Sequence, residues 1–267
     1  MSTSTTAPGQ QRSFIFPLII IGVFFFIFGF TTWANSQLIS YFKIACELTT
    51  TQSYLVATAF FAAYFVMALP SSFILNKFGY KKGMVLGLLV MAAGALIFIP
   101  AANSRSYPMF LVGLFVIGTG LALLQTASNP YVTILGPIES AAQRISIMGI
   151  CNKLAGIVGV FIMGGIVLKN VDAFKEKLLT LASAEKIAEL DAFAKRVINP
   201  YITIAIILVV FAIIIAFINL PEVKEEEETD SSYARGKTSI FQFPHLILGA
   251  IAIFFYVGVE VISYDTF

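Results

Sequence analysis

The chain has 267 residues, of which 58% are hydrophobic and only 12% are charged, and its mean hydropathy is +0.88. This composition excludes an ordinary soluble domain, which carries about 25% charged residues. The net charge of +2 comes from basic residues scattered over loops and does not indicate nucleic-acid binding. Long uncharged runs between short charged patches are typical of a polytopic membrane protein, since a spanning helix needs about 20 mostly apolar residues.

The chain begins with a polar segment, MSTSTTAPGQQR, and residues 1–13 are predicted to form a cytoplasmic tail. No small-residue cleavage site follows the first apolar run, so this run is expected to remain as a helix. Seven apolar segments follow, and all are predicted to be helices because lipid leaves an open chain no other way to satisfy its backbone. They cover about Phe14–Phe42, Ser53–Leu75, Gly83–Pro100, Tyr107–Leu135, Ile145–Leu168, Tyr201–Leu220 and Phe243–Phe267.

Lysine and arginine in the short loops predict the orientation of these helices. The loops on one side hold Lys77, Lys81, Lys82 and Arg144, and the loops on the other side hold Lys43 and Arg105. This excess of basic residues places the N-terminus in the cytoplasm, so that the odd-numbered helices run outward.

Two segments are expected outside the membrane. Residues 169–200 have apolar residues at helical spacing and predict an external amphipathic helix, which is solvated or lies at the membrane interface. Residues 221–242 contain the acidic run PEVKEEEETDSSYARGKTS and predict a cytoplasmic linker. The linker separates a six-helix unit, residues 14–220, from a seventh helix, residues 243–267. No loop or basic flank follows this last helix, which indicates a chain cut in or just after it.

The fourth predicted helix carries a polar cluster in the stretch LALLQTASNPYVTILGP. Gln125 is expected about 15 Å from the cytoplasmic end, near the middle of a hydrocarbon core about 30 Å thick. Asn129 follows one turn later on the same face, and Pro130 removes a backbone donor and loosens the turn before it. Two interpretations stay open: a face that lines a cavity, or polar side chains that bond across a packed helix interface.

The fifth and seventh predicted helices each contain a charge at membrane depth. Lys153, beside Asn152, is expected about 13 Å past Arg144, where a lysine needs a partner, a water-filled cavity or a route to the surface. Glu260 is expected about 25 Å past Phe243 along the seventh helix. It is a candidate partner for Lys153 or a candidate proton-binding carboxylate.

The first predicted helix contains the sequence TTWANSQ, with the only Trp of the chain among amide side chains. Trp33 is a candidate to cover the apolar face of a sugar while Asn35 and Gln37 bind its hydroxyls. The alternative is an interfacial Trp at a helix end. No metal-ligand, phosphate-loop or nucleophile pattern is present, so the sequence predicts neither an enzyme nor a metal or cofactor site.

The segment FILNKFGYKKG resembles the loop signature that the major facilitator superfamily carries between its second and third helices. Lys77, Gly79 and Lys81 match the signature, and Asn76 stands in place of the usual Asp. In that family the loop packs at the cytoplasmic seam and is thought to steady one conformation. The resemblance makes these four residues a candidate conformational loop that lacks the usual acid.

The string QTASNPYVTILGP is similar to the fourth helix of the fucose:proton symporter and glucose/galactose transporter branch, which typically reads E-T-A-A-N-P-[FY]-V-T-x-L-G-P. The likeness covers most of the chain from about Phe24 onward. It implies twelve helices in two six-helix halves with a sugar bound between them. The expected fold is therefore an all-α membrane protein, a six-transmembrane-helix half-domain with a truncated seventh helix, whose partner is the missing C-terminal half.

Departures from this branch concern proton coupling. Gln125 stands where the symporters have a carboxylate in helix four, and Ser36 falls near their acidic position in helix one. Asn152 matches the family's helix-five Asn, whereas Lys153 replaces a small polar residue. Both usual proton carriers are therefore neutral, and Glu260, alone or with Lys153, is a candidate to replace them. Passive or Na⁺-coupled transport stays open.

The sequence as a whole predicts a monosaccharide transporter of the bacterial inner membrane that works by alternating access. The expected substrate is a hexose or deoxyhexose such as glucose, galactose or fucose, with the proton as a candidate coupling ion. A carrier of another solute, such as an organic anion attracted by Lys153, and a non-transporting fragment or membrane interaction module stay open as alternatives. The predicted substrate contacts are Trp33, Asn35, Gln37, Gln125, Asn129 and Asn152, with Lys153 and Glu260 as coupling residues.

Overall fold

The structure is a computed structural model that describes residues 8–218, 239 and 242–266. Every regular element among these residues is a helix. Short 3-10 turns occur at Ile138–Ser140 and Lys195–Val197. The α-helices are α1 (Pro8–Ala45), α2 (Thr50–Ser53), α3 (Leu55–Phe78), α4 (Tyr80–Asn103), α5 (Tyr107–Ile134), α6 (Ala141–Val167), α7 (Val171–Thr180), α8 (Ser183–Ala194), α9 (Ile198–Phe217) and α10 (Pro244–Thr266).

Seven helical stretches among the described residues are long and apolar enough to cross a membrane. The predicted all-helical membrane class is therefore confirmed, and each predicted span corresponds to one of these stretches. Several helices extend beyond the apolar run, as α1 does to Ala45 and α9 does from Ile198. A hydropathy run marks only the apolar part of a helix, whereas its backbone hydrogen bonds continue into more polar sequence.

The connection between α3 and α4 is shorter than predicted. The sequence suggests a loop between Leu75 and Gly83, but the structure interrupts the helices only at Gly79. Gly79 has φ +82°, a backbone conformation that favours glycine, and its N–H donates to the Leu75 carbonyl at 2.8 Å. The candidate conformational loop is thus a one-residue break between two helix ends.

Residues 169–200 contain the two short helices α7 and α8, a 3-10 turn and the start of α9, rather than the single amphipathic helix predicted. The chain becomes extended at Leu181, between α7 and α8. This break lets the ring of Phe174 in α7 stack on that of Phe193 in α8, with 4.6 Å between centroids. Periodicity alone missed the break because the apolar spacing of the two helices is nearly continuous in sequence.

Close helix packing builds the core of the bundle. Helix α4 lies against α5 and α9, α3 lies against α5, and α1 lies against α6. In the α4–α5 seam, a Cβ on Gly87 would lie 2.9 Å from the Gly120 carbonyl oxygen, and one on Gly120 would lie 2.5 Å from the Gly87 carbonyl oxygen. Small residues at such a seam let two membrane helices approach at backbone distance.

The chain divides into two compact units, residues 1–223 and 224–267. The first contains α1 to α9, and the second contains α10. Residues 1–7 of the predicted polar tail lie outside the described residues, as does the predicted acidic linker 221–242 apart from residues 239 and 242.

Candidate functional site

The seam between α1 and α6 brings several of the predicted site residues together. Glycines allow the approach, since a Cβ on Gly159 would lie 2.9 Å from the Phe30 carbonyl oxygen. A Cβ on Gly29 would lie 2.7 Å from the carbonyl carbon of Asn152. The seam therefore has no room for larger residues at these points, and it places Trp33 of α1 beside α6.

Trp33 and Lys153 contact each other across this seam. The Lys153 ammonium nitrogen lies 4.8 Å from the centroid of the Trp33 ring, within cation–π range. A Cβ on Gly156 would lie 2.9 Å from the ring nitrogen, so the ring rests directly on this glycine. Trp33 also lies about 18 Å before the end of α1 at Ala45, so it does not fit the alternative of an interfacial anchor at a helix end.

The polar cluster of α5 contains two kinds of side chain. The hydroxyls of Thr126 and Ser128 donate to backbone carbonyls four residues earlier, at 2.8 and 2.7 Å. The amides of Gln125 and Asn129 make no hydrogen bond to any described residue; Gln125 is partly buried and Asn129 is exposed. The hydroxyls are thus satisfied within their own helix, whereas the two amides present free donors and acceptors on an accessible face.

Gln37 and Asn152 extend the α1–α6 part of this arrangement. One amide hydrogen of Asn152 is donated to the Phe25 carbonyl at 3.2 Å, which leaves its oxygen and its second hydrogen available. Gln37 lies about one turn beyond Trp33, and its oxygen would be 3.3 Å from a Cβ on Gly164. The amide of Gln37 makes no hydrogen bond within the described part of the chain.

Asn35 has a different environment from the other amides. It is 6% exposed, and its Oδ1 accepts a hydrogen bond from the Tyr201 hydroxyl at 3.2 Å. Its Nδ2 is buried without a partner among the described residues, beside a cavity of about 10 Å³, which is close to the volume that one water needs. This is a bond between α1 and α9, and the predicted sugar contact of Asn35 stays a prediction.

The structure adds one residue that the sequence treated only as a loop charge. Arg144 is 7% exposed, and its guanidinium donates to the carbonyls of Val132, Thr133 and Pro137 at 2.8–2.9 Å and to the Ser140 hydroxyl at 2.6 Å. The last carbonyls of a helix need such partners, and a cation there also complements the helix dipole. Arg144 therefore holds the end of α5, the helix that carries Gln125. Helix α5 in turn contacts both α1 and α6.

The candidate conformational loop is built from helix ends. Asn76 and Lys77 lie exposed in the last turn of α3, and Lys81 lies in the first turn of α4. The Lys77 ammonium is 5.6 Å from the centroid of the Phe78 ring. Within the described ranges, neither lysine pairs with an acid, and the role of this loop stays a prediction.

Glu260 lies in α10, which belongs to the second unit. Its predicted pairing with Lys153 and its predicted coupling role stay predictions. In the part of the chain that the structure describes, no three His, Cys, Asp or Glu side chains are grouped so that they would hold a metal ion.

The seven described helical stretches of spanning length define a multi-pass membrane protein. The family model of the Major Facilitator Superfamily matches residues 18–266, so the chain belongs to this superfamily, whose members are transporters and not enzymes. The family resemblance inferred from the loop and helix-four strings is confirmed.

Relatives of this chain include a glucose/galactose transporter of Brucella abortus, 40% identical over 256 residues. An L-fucose-proton symporter of Escherichia coli is 32% identical over 256 residues. These alignments cover 96% and 94% of this chain but 58% of each relative, so the chain spans less than two thirds of their length. A crystal structure of the transporter FucP in the outward conformation is similar with a TM-score of 0.69 and 31% identity, over 84% of this chain and 54% of that one.

Proposed function

We propose that this chain forms the N-terminal six-helix half of a monosaccharide transporter, followed by the first helix of the second half. The half-domain covers residues 14–220, with residues 169–200 outside the membrane, and the seventh helix covers residues 243–267. The coverage of the relatives supports this division, because the chain matches 58% of each relative rather than the whole. Basic residues are more frequent at the helix ends near Lys77 and Arg144 than at the opposite helix ends. This excess supports a cytoplasmic N-terminus in a bacterial inner membrane.

The observation that carries the proposal is a set of accessible polar side chains on α1, α5 and α6, three helices that contact one another. It offers the indole of Trp33 together with the unbonded amides of Gln37, Gln125 and Asn129. An aromatic ring covers the C–H face of a sugar, and amides both donate to and accept from hydroxyls. The free hydrogen-bonding groups of Asn152 add a further contact. In alternating access we propose that these side chains face the other half of the transporter around the sugar.

The relatives narrow the substrate class. Their names specify glucose, galactose and L-fucose, which are all hexoses or deoxyhexoses. We therefore propose a substrate of this class for the present chain. Asn35 belongs to this proposal as a support for the position of α1 through its bond to Tyr201, or as a contact reached through water.

Coupling to a proton is a separate part of the proposal. Gln125 keeps a hydrogen-bonding group but has no titratable proton, so it can bind a hydroxyl and cannot carry the proton. We propose that Glu260 carries it, with Lys153 as the charge that responds to its protonation. Replacing Glu260→Gln is then expected to abolish proton-driven accumulation while counterflow continues. Unchanged proton-driven accumulation would exclude this role.

Transport of an organic anion is the second candidate function, because Lys153 presents a cation beside Trp33. Counterflow separates the two candidates. Proteoliposomes that contain the complete product of this gene are loaded with unlabelled solute, and exchange of labelled D-glucose, D-galactose, L-fucose or a dicarboxylate is measured. The sugar proposal predicts exchange of at least one of the three sugars and none of the dicarboxylate. Exchange of the anion alone would overturn it.

A further inference from the structure

A second cavity lies between α1, α6 and α9, on the other side of the α1–α6 seam from the candidate site. Its volume is about 410 Å³, within the range of roughly 300–1,000 Å³ that is usual for ligand sites. We call this cavity the groove. Ile162 lines it and lies nine residues after Lys153, so the two side chains point about 180° apart around α6. The groove is therefore separate from the face that carries Trp33 and Lys153.

The groove is suited to hydrocarbon rather than to a polar solute. Phe30, Met163 and Leu208 belong to its apolar walls, and Thr203, one of its few polar residues, donates its hydroxyl to the Asn199 carbonyl at 2.9 Å. Its rim consists of apolar side chains that are about half exposed, as Ile162 is at 46% and Ile207 at 55%. All three helices are of spanning length, so this rim faces the depth of the bilayer.

The length of the groove matches one leaflet. Its lining on α9 extends from Asn199 to Leu208, which is about 14 Å along a helix. Half of a hydrocarbon core about 30 Å thick is about 15 Å. The end of the groove at Asn199 therefore falls near the level of the headgroups, on the side of the bundle that carries α7 and α8.

Basic residues stand at this end of the groove. Lys169 follows the lining residue Ile166 by three positions, and Arg196 precedes Asn199 by three. The Arg196 guanidinium donates to the Lys169 carbonyl at 2.8 Å, which joins the two helix ends at the mouth. Within the described residues, neither Lys169 nor Arg196 pairs with an acidic side chain.

We propose that the groove binds one acyl chain of an anionic phospholipid, whose phosphate lies against Lys169 and Arg196. The apolar walls of the groove match an acyl chain, and the length of the groove matches the hydrocarbon thickness of one leaflet. The two cations at its end match an anionic headgroup. This site is independent of the proposed sugar transport and does not require it.

Native mass spectrometry of the purified 267-residue chain in neutral detergent tests the proposal. Phosphatidylglycerol and phosphatidylcholine with identical acyl chains are added separately, and bound lipids are counted. We expect one tightly bound phosphatidylglycerol and weaker binding of phosphatidylcholine. Replacing Lys169→Gln is expected to weaken phosphatidylglycerol binding about fivefold, because one surface charge near an anionic lipid contributes about that factor. The matched change Lys82→Gln, at an exposed lysine on the opposite end of the bundle, is expected to leave binding unchanged.

A second pair of variants tests the groove itself. Ile207→Trp fills the groove, whereas Ile213→Trp adds the same ring to an equally exposed position of α9 that does not line it. We expect the first variant to lose most of the tightly bound lipid and the second to keep it. Equal binding to both variants, or equal binding of the two lipids to the unmodified chain, would overturn the proposal. A change of oligomeric state in Ile207→Trp without loss of lipid would instead assign the groove to a second copy of the chain.

Discussion

Glycine lies at two helix seams of this protein, but the side chains around it differ between the two seams. In the α4–α5 seam, Gly87 and Gly120 bring two backbones together and large apolar side chains close over them. In the α1–α6 seam, Gly156 and its neighbours also allow a close approach, but Trp33 and Lys153 lie beside them. Glycine at a membrane seam therefore indicates close packing, and only the residues around it separate a structural seam from one that supports a site.

The largest effect is expected from breaking the structural seam. Gly120→Ala places a methyl group 2.5 Å from the Gly87 carbonyl oxygen and 2.7 Å from the Met91 backbone nitrogen, neither of which moves freely. We expect a loss of stability of about 3 kcal/mol, at the upper end for overpacking. The midpoint of thermal unfolding in detergent, followed by circular dichroism, measures it. Gly165→Ala is the matched control because a Cβ there meets nothing within 4 Å; equal midpoints for the two variants would contradict the account.

The next effect concerns the end of α5. Arg144→Lys keeps the charge but replaces a planar five-donor group with a compact ammonium, which is unable to reach all four acceptors. Because carbonyls at the end of α5, among them the buried one of Val132, would be left without donors, we expect a loss of about 2 kcal/mol by the same thermal measurement. Arg105→Lys, at a partly exposed ion pair with Asp191, is expected to cost much less. If Arg105→Lys lowers the stability as much as Arg144→Lys, the hydrogen bonds from Arg144 to the end of α5 contribute no more than a partly exposed ion pair, which would contradict the account.

A smaller effect is expected at the buried amide. Tyr201→Phe removes the donor to Asn35 and is expected to cost about 1 kcal/mol. Tyr54→Phe, at an exposed tyrosine, is the control and should be neutral. If Tyr201→Phe is as neutral as Tyr54→Phe, the Asn35–Tyr201 hydrogen bond does not hold α1 to α9.

The smallest change in stability, with a specific optical signal, is expected in the polar seam. Gly156→Ala puts a methyl group 2.9 Å from the Trp33 ring nitrogen, and the ring has room to move because it is only partly buried. Trp33 is the only Trp in the chain, so its emission spectrum reports this movement directly. We expect a changed emission maximum in Gly156→Ala and none in Gly149→Ala, where a Cβ meets nothing within 4 Å. Identical spectra would place Trp33 away from α6.

Sequence patterns predicted the number and type of the described spanning helices because hydropathy depends on local composition. They also predicted that Lys153 needs a stabilising contact, and the centroid of the Trp33 ring lies 4.8 Å from its ammonium nitrogen. The predicted pairing of Lys153 with Glu260 stays a prediction. They did not show that Asn35 faces Tyr201, since periodicity gives the face of a helix and not its neighbour 166 residues away. The hydrogen bonds from Arg144 to the end of α5 were missed for a related reason, because no sequence pattern shows which side chain bonds the last carbonyls of a helix.

The distinction between bonded and free polar groups on α5 is the central claim, and equilibrium sugar binding tests it most directly. Calorimetric titration of the complete gene product in detergent with D-galactose, D-glucose or L-fucose gives the dissociation constant. Gln125→Ala removes an unbonded amide and is expected to weaken binding about tenfold. Thr126→Val removes a hydroxyl that already donates to its own backbone, and it is expected to leave the dissociation constant nearly unchanged. Equal dissociation constants for the unmodified protein and Gln125→Ala, or a larger loss in Thr126→Val, would contradict the account.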